Sequence, residues 1–194
     1  TDRLTKFMRD FYKEHGTDGY ILKFDIRKFF DSIHHEVLKE KLCCILDEEV
    51  KKLLYHIIDS YAKEPEKDEL SLRGLPLGNQ TSQWFALWYL NGLDRLIKEK
   101  LRIKYYSRYM DDGILIHEDK AYLSLCLKKM TEYVEQKLKL SFNEKTQIFP
   151  ISQGTDYLGF RFYLTDTGKV IRRLRTSNKK RWKRRLKLYQ KQYR

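Results

Sequence analysis

The sequence predicts an α+β domain with helices packed on one face of a mainly antiparallel sheet. Three observations carry that reading. Residues 20–26 alternate, with Tyr20, Leu22, Phe24 and Ile26 on one face and Ile21, Lys23 and Asp25 on the other, the period of a half-buried strand. Met110-Asp111-Asp112-Gly113 joins two apolar segments tightly, and an Asp-Gly pair there signals an antiparallel hairpin. Around them apolar residues recur at helical spacing, giving the order strand, two helices, Gly loop with helix, hairpin, helix, strands.

Each element has its own cues. After the first strand, Asp31 or Ser32 is placed to cap a helix burying Val37, Leu38, Leu42 and Ile45. A second helix starts near Asp47, with Val50, Leu53, Leu54, Ile57, Ile58 and Tyr61 in helical spacing. Residues 63–68 are polar with one proline and read as a loop. Gly74, Pro76 and Gly78 mark an irregular loop. Thr81 or Ser82 is then placed to cap a helix that buries some of Trp84, Phe85, Leu87, Trp88, Leu93, Leu96 and Ile97. The hairpin strands are 104–109 and 114–117, and another helix spans roughly 119–139. Strand-like segments follow at 157–164 and 169–174, and Ser177 or Asn178 is placed to cap a final basic helix.

A length of 194 residues fits one large domain, or one domain with an appendage. At 41% hydrophobic and 14% aromatic residues the chain can build a real core. It has no apolar run of about 18 residues, which argues against a membrane span. The charged start carries no signal peptide, and the missing initiator Met suggests a piece of a longer chain. Cys43, Cys44 and Cys126 show neither metal nor disulfide spacing, which points to a reducing cytoplasm. The net charge of +13 is strongly localised: residues 169–194 hold 13 Lys or Arg and no Asp or Glu, leaving the body formally neutral. Such a segment suits the phosphate backbone of a nucleic acid, although basic runs are also common as solvated helix faces.

Asp25 lies at a strand end, and Asp111 and Asp112 lie in a turn 86 residues later. Clustered carboxylates raise one another's pKa unless a cation neutralises them, and hard oxygen ligands suit Mg²⁺. Two such ions about 4 Å apart activate a 3′-hydroxyl and stabilise departing pyrophosphate in an in-line displacement. An Asp pair before Gly is by itself more often a plain turn, so the weight lies in the other elements that accompany it.

Those elements resemble the reverse transcriptase family. Tyr109-Met110-Asp111-Asp112 is the YMDD form of its catalytic hairpin, and Phe24-Asp25-Ile26-Arg27-Lys28-Phe29-Phe30-Asp31 looks like its first carboxylate motif. The stretch from Gly74-Leu75-Pro76-Leu77-Gly78 to Gln83 resembles the loop and helix start that hold template and incoming nucleotide. Leu140-Ser141-Phe142-Asn143-Glu144-Lys145-Thr146 matches the next motif, and Tyr157-Leu158-Gly159-Phe160 resembles the primer-grip turn. The resemblance implies a polymerase palm with a ferredoxin-like core over 20–164. Residues 1–19 would be a remnant of fingers or connection, and 165–194 the end of the palm and the start of a basic helical thumb. Most of the fingers and thumb would lie outside this chain.

The resemblance also implies roles. Asp25 and Asp111 bridge two Mg²⁺ ions, Asp112 assists, and the Ile26 carbonyl completes one shell; without substrate the site is expected empty or partly filled. Phe30 gates against a ribose 2′-hydroxyl, and Leu77, Gly78, Asn79 and Gln83 form the rest of the nucleotide site. Lys145 serves the leaving pyrophosphate. Tyr157, Leu158 and Gly159 grip the primer. Arg172, Arg173, Arg175, Lys179, Lys180, Arg181, Lys183 and Arg184 follow the nucleic-acid backbone. Expected partners are an RNA template, a DNA primer and dNTPs, with an accessory nucleic-acid-binding protein as a further candidate.

Leu77 and Gln83 depart from the Gln and Pro usual in bacterial relatives, and this pattern resembles the enzymes of diversity-generating retroelements, which copy template adenines with errors. Three alternatives stand beside this reading. One is a catalytically silent RNA-binding scaffold of maturase type, or a group II intron-like reverse transcriptase. RNA-templated RNA synthesis is the second, opposed by Phe30 and the YMDD form. A metal-dependent nuclease is the third, and it leaves the nucleotide loop unexplained.

Overall fold

A computed structural model describes residues 1–43, 47–61, 72–76 and 78–192. Leu77, Ile45 and the loop expected at 63–68 lie outside the described residues. The elements are α1 (Asp2–His15), β1 (Tyr20–Phe24), α2 (Phe29–Ser32), α3 (His35–Leu42), α4 (Glu48–Asp59), α5 (Gln80–Arg95), β2 (Tyr105–Tyr109), β3 (Asp112–His117), α6 (Lys120–Leu138), β4 (Gln147–Pro150), β5 (Thr155–Tyr157), β6 (Phe160–Leu164), β7 (Val170–Leu174) and α7 (Thr176–Gln192).

Four strands form one sheet in the order β2-β3-β1-β4, antiparallel throughout. With helices between β1 and β2 and between β3 and β4, this is the βαββαβ topology of the expected ferredoxin-like core. β5, β6 and β7 form a second antiparallel sheet.

Helices α3, α5 and α6 cover one face of the first sheet, where Leu22, Phe24, Tyr106 and Leu115 join Tyr89, Leu90, Leu123 and Met130. The other face is not left to solvent along its whole length. Ile21, Tyr105, Ile114 and Ile116 pack there against Leu4, Met8 and Phe11 of α1 and against Tyr157, Phe162 and Val170 of the second sheet. β1 is therefore buried on both faces at its start rather than half-buried throughout. Beyond Ile21 that second face opens, and its next residues are Lys23 and Asp25.

Several expected caps are corrected. Asp31 and Ser32 end the short helix α2, and His34 takes the N-cap of α3. Asn79, not Thr81 or Ser82, precedes α5. α7 begins at Thr176, so Ser177 and Asn178 lie inside its first turn. Asp47 caps α4 as expected, accepting from the Val50 amide at 2.9 Å. Val50 and Leu53 nonetheless face solvent, and of that stripe only Ile58 is fully buried. Trp182 and Leu186 are exposed, and no described residue of α7 is buried.

Candidate catalytic cleft

The hairpin turn is not where the Asp-Gly pair suggests. Tyr109 pairs with Asp112, so the two turn residues are Met110 and Asp111, and Asp112 and Gly113 open β3. Met110 has φ 53° while Asp111 does not have positive φ, the pattern of a type II′ turn. A non-glycine residue held at such a dihedral stores about 1–3 kcal/mol of strain. Gly113 serves packing instead: it stands opposite Phe24, and a Cβ there would lie 2.2 Å from the Phe24 ring.

That register assembles the carboxylates. Asp25 follows Phe24 and Asp112 precedes Gly113, so the two carboxylates leave the same end of the β1–β3 pair and line one cleft. Burial pushes the Asp112 carboxyl up from 3.8 to about 6; the Lys23 ammonium counters this, and the Asp25 and Asp111 charges add to it. Asp25 is raised as well, chiefly by burial and then by Asp111. Asn143 opposes that rise, donating its side-chain amide to Asp25 Oδ2 at 3.1 Å and its backbone amide to the Asp25 carbonyl at 2.7 Å. The Ile26–Phe142 bridge and the Arg27 amide on the Ser141 carbonyl seat this motif along the end of β1.

The three expected carboxylates thus share one electrostatic environment. Asp112 Oδ1 is buried without a hydrogen bond and is ion-paired with the Lys23 Nζ at 3.5 Å. A buried carboxylate oxygen without a hydrogen bond, beside two further carboxylates, fits a hard cation that would share it with Lys23. Among the described residues no three His, Cys, Asp or Glu side chains already stand as a closed ligand set. The donors fit, and their side chains would have to converge to close on an ion.

A cleft of about 500 Å³ lies over Asp25 and Asp112, lined also by Lys23, Lys145, Gln147, Asp156, Arg161 and Arg175, while Asp111 stands outside its lining. A groove of about 570 Å³ between α1 and β7 is larger but reaches none of the carboxylates. Lys145 is exposed at the cleft, and its amide donates to Asn143 Oδ1 at 3.1 Å.

The other expected positions divide. Phe30 packs edge-on against Phe29, and its carbonyl accepts from the Leu75 amide at 2.8 Å, which ties the Gly74 loop to α2. Gly78 has φ 99° with open space beside it. Asn79 and Gln83 are exposed, and the Asn79 amide donates to the Tyr61 hydroxyl at 2.9 Å rather than toward the carboxylates. The Leu158-Gly159 turn has φ 48° and 82°, and the Gly159 carbonyl accepts from the Arg175 amide and Asn178 Nδ2. That turn therefore anchors the start of α7. Tyr157 is buried, its hydroxyl 3.3 Å from Ser107 Oγ on β2. Arg172 pairs with Asp2 at 2.8 Å, and Arg173, Lys179, Lys180, Arg181, Lys183 and Arg184 are exposed.

Sequence reasoning gave no role to Lys23, Asn143 or Asp156. Lys23 Nζ donates to the Asp156 carbonyl at 2.7 Å, and the Asp156 carboxylate pairs with Arg161 and Arg175. Lys23 had a signal: it lies two residues before Asp25 on the same strand face. Asp156 had none, because its partners come from three separate segments.

Comparison with known proteins decides the family. The sequence profile of the reverse transcriptase (RNA-dependent DNA polymerase) family matches residues 1–162. The chain belongs to that family. The reverse transcriptase fold is also found in solved structures. Apo telomerase from Candida tropicalis, truncated from the C-terminal domain, aligns at 22% identity and TM-score 0.65, covering 89% of this chain and 39% of that one. Telomerase from Candida albicans in complex with a TWJ fragment of telomeric RNA aligns at 14% identity and TM-score 0.64, covering 89% of this chain and 33% of that one. A second structure of apo telomerase from Candida tropicalis gives 20% identity and TM-score 0.63, covering 88% of this chain and 35% of that one. This reverse transcriptase domain thus spans well under half the length of those chains. No curated protein matches the chain closely enough to count as a relative. Among the described residues no helix is long and apolar enough to cross a membrane.

Proposed function

We propose that this domain is the catalytic palm of an RNA-templated DNA polymerase. The observation that carries the proposal is the convergence of Asp25 and Asp112 on one cleft at the end of the β1–β3 pair, where Asp112 Oδ1 is buried with no hydrogen bond and only the Lys23 ion pair to balance it. Asp25, Asp111, Asp112 and the Ile26 carbonyl would hold Mg²⁺, which when bound lowers the cost of ionising a primer 3′-hydroxyl and of releasing pyrophosphate.

The chain's own residues prepare that step. Asn143 fixes the rotamer of Asp25 and favours its ionised form. Lys23 holds Asp112 against the second sheet. Lys145, exposed at the cleft, is placed to offset charge or return a proton to pyrophosphate. Phe30 narrows the space for a ribose 2′-hydroxyl, and Gly78 and its neighbours accept the flat base pair. The Tyr157-Leu158-Gly159 turn holds the primer end, and the basic face of α7 follows the backbone as the start of a thumb, with 20–164 as the palm. RNA template, DNA primer and dNTPs are the partners this implies.

We assign the domain to the bacterial retroelement type, closest to diversity-generating retroelements, because Leu77 and Gln83 stand where bacterial relatives usually carry Gln and Pro; an apolar Leu77 would remove a polar contact near the nucleotide and loosen discrimination. Extension of a primer on an RNA template by the full-length protein tests the main reading, with dNTPs or rNTPs supplied separately. Extension with dNTPs supports it, and inert binding favours the scaffold. Misincorporation concentrated at template adenines, and reduced by Leu77→Gln, tests the subtype.

A further inference from the structure

We propose that the Asp94–Arg108 pair holds the Met110-Asp111 turn in its strained form, making Arg108 a positioning residue for Asp111. Asp94 lies in the last turn of α5 and Arg108 on β2, one residue before Tyr109. The Arg108 side chain is 7% exposed. Its Nε donates to Asp94 Oδ1 at 2.8 Å and its Nη2 donates to Asp94 Oδ2. Its remaining arm, Nη1, donates to the Met110 carbonyl at 2.7 Å. The Tyr106 hydroxyl donates to Asp94 Oδ1 at 2.6 Å, which fixes the carboxylate from a third side.

The arrangement uses the shape of arginine. One edge of the planar fork is fixed on a carboxylate, so the opposite arm points in a set direction. What it meets is the carbonyl of the one hairpin-turn residue with positive φ. The Met110 carbonyl and the Asp111 amide share one peptide plane, so holding the former orients the backbone that carries the Asp111 side chain. Strained dihedrals persist where the surroundings over-determine them, and this bond together with the β2–β3 ladder does that. Stability is a weak explanation for the pair: the Asp94 side chain keeps 32% exposure, and even fully buried ion pairs often do no better than apolar packing in their place. A position one hydrogen bond from the turn explains it better.

The effect on rate rests on the polymerase reading above; the effect on the turn does not. The test compares the full-length protein with Arg108→Lys and Asp94→Asn by thermal melting, amide hydrogen exchange and primer extension. Lysine keeps the charge but cannot reach both Asp94 edges and the Met110 carbonyl together. For folded Arg108→Lys we expect exchange in the peptide covering 107–114 to rise at least tenfold while residues 20–24 stay protected. We expect kcat to fall at least tenfold, with KM for dNTP and Kd for template within twofold. Asp94→Asn, which retains one neutral acceptor, should fall between. Unchanged turn exchange in either folded variant overturns the proposal. So does a rise shared equally by residues 20–24 in both variants, which would make the pair a general brace. Failure of the unaltered protein to extend a primer would count against the polymerase reading alone, and the exchange data would still decide the clamp.

Discussion

Gly113 stands directly opposite Phe24 across β1 and β3, so close that a single added methyl would overlap the ring at 2.2 Å. Phe24 is fully buried, leaving the ring nowhere to move. Gly113→Ala should therefore destabilise the domain by roughly 1–3 kcal/mol, the usual cost of overpacking. A lower urea midpoint with an unchanged slope would show it. An unchanged midpoint would mean the strands slide apart at no cost, and the register that joins Asp25 to Asp112 would lose its explanation.

The raised carboxyl of Asp112 gives stability a definite pH dependence. Its pKa is about 6 in the folded protein against 3.8 ordinarily, with burial the main cause. Between those values the folded protein keeps a proton that the unfolded chain has lost, so stability falls as pH rises from about 4 to about 6. At roughly 1.4 kcal/mol per pH unit the loss is at most about 3 kcal/mol. Asp112→Asn should flatten this part of the profile and melt higher at pH 7. Millimolar Mg²⁺ or Mn²⁺ should narrow that gap, because a bound cation favours the ionised form. Parallel profiles for the two proteins would contradict this.

Salt dependence tests the basic helix. Lys179, Lys180 and Arg181 are exposed on α7, where no described residue is buried. If they neutralise phosphates of single-stranded RNA, replacing all three by Ala should reduce the slope of log affinity against log salt by roughly 0.7 for each phosphate no longer neutralised. A slope that stays the same would return α7 to the status of a solvated face.

What could be read in the sequence follows from how local each signal is. β1, the hairpin and α6 were legible because alternation and helical spacing are properties of one segment. β4 was not, since Gln147-Ile148-Phe149-Pro150 has no clear alternation and becomes a strand through pairing with β1. Helix starts failed where Ser, Thr and Asp were plentiful: His34 and Asn79 occupy the N-cap positions of α3 and α5, and neither makes a side-chain cap. β3 begins two residues earlier than expected because Gly113, read as turn chemistry, answers to the Phe24 ring. The carboxylates were found by motif. Their supports Lys23, Asn143 and Asp94 were not, because each acts across strands or between a helix and a strand. Val50 and Leu53 show the opposite error, since helical spacing identifies a face without showing what covers it.

The most direct measurement is primer extension on an RNA template by the full-length protein beside Asp111→Ala, with Mg²⁺ and dNTPs. We expect template-directed DNA synthesis that falls at least a thousandfold in the variant, about 4 kcal/mol of lost transition-state stabilisation, while RNA binding stays the same and the melting temperature does not fall. Equal extension by both proteins, or none by a folded protein that binds RNA, would contradict the assignment of the Asp25, Asp111 and Asp112 carboxylates as the polymerase site.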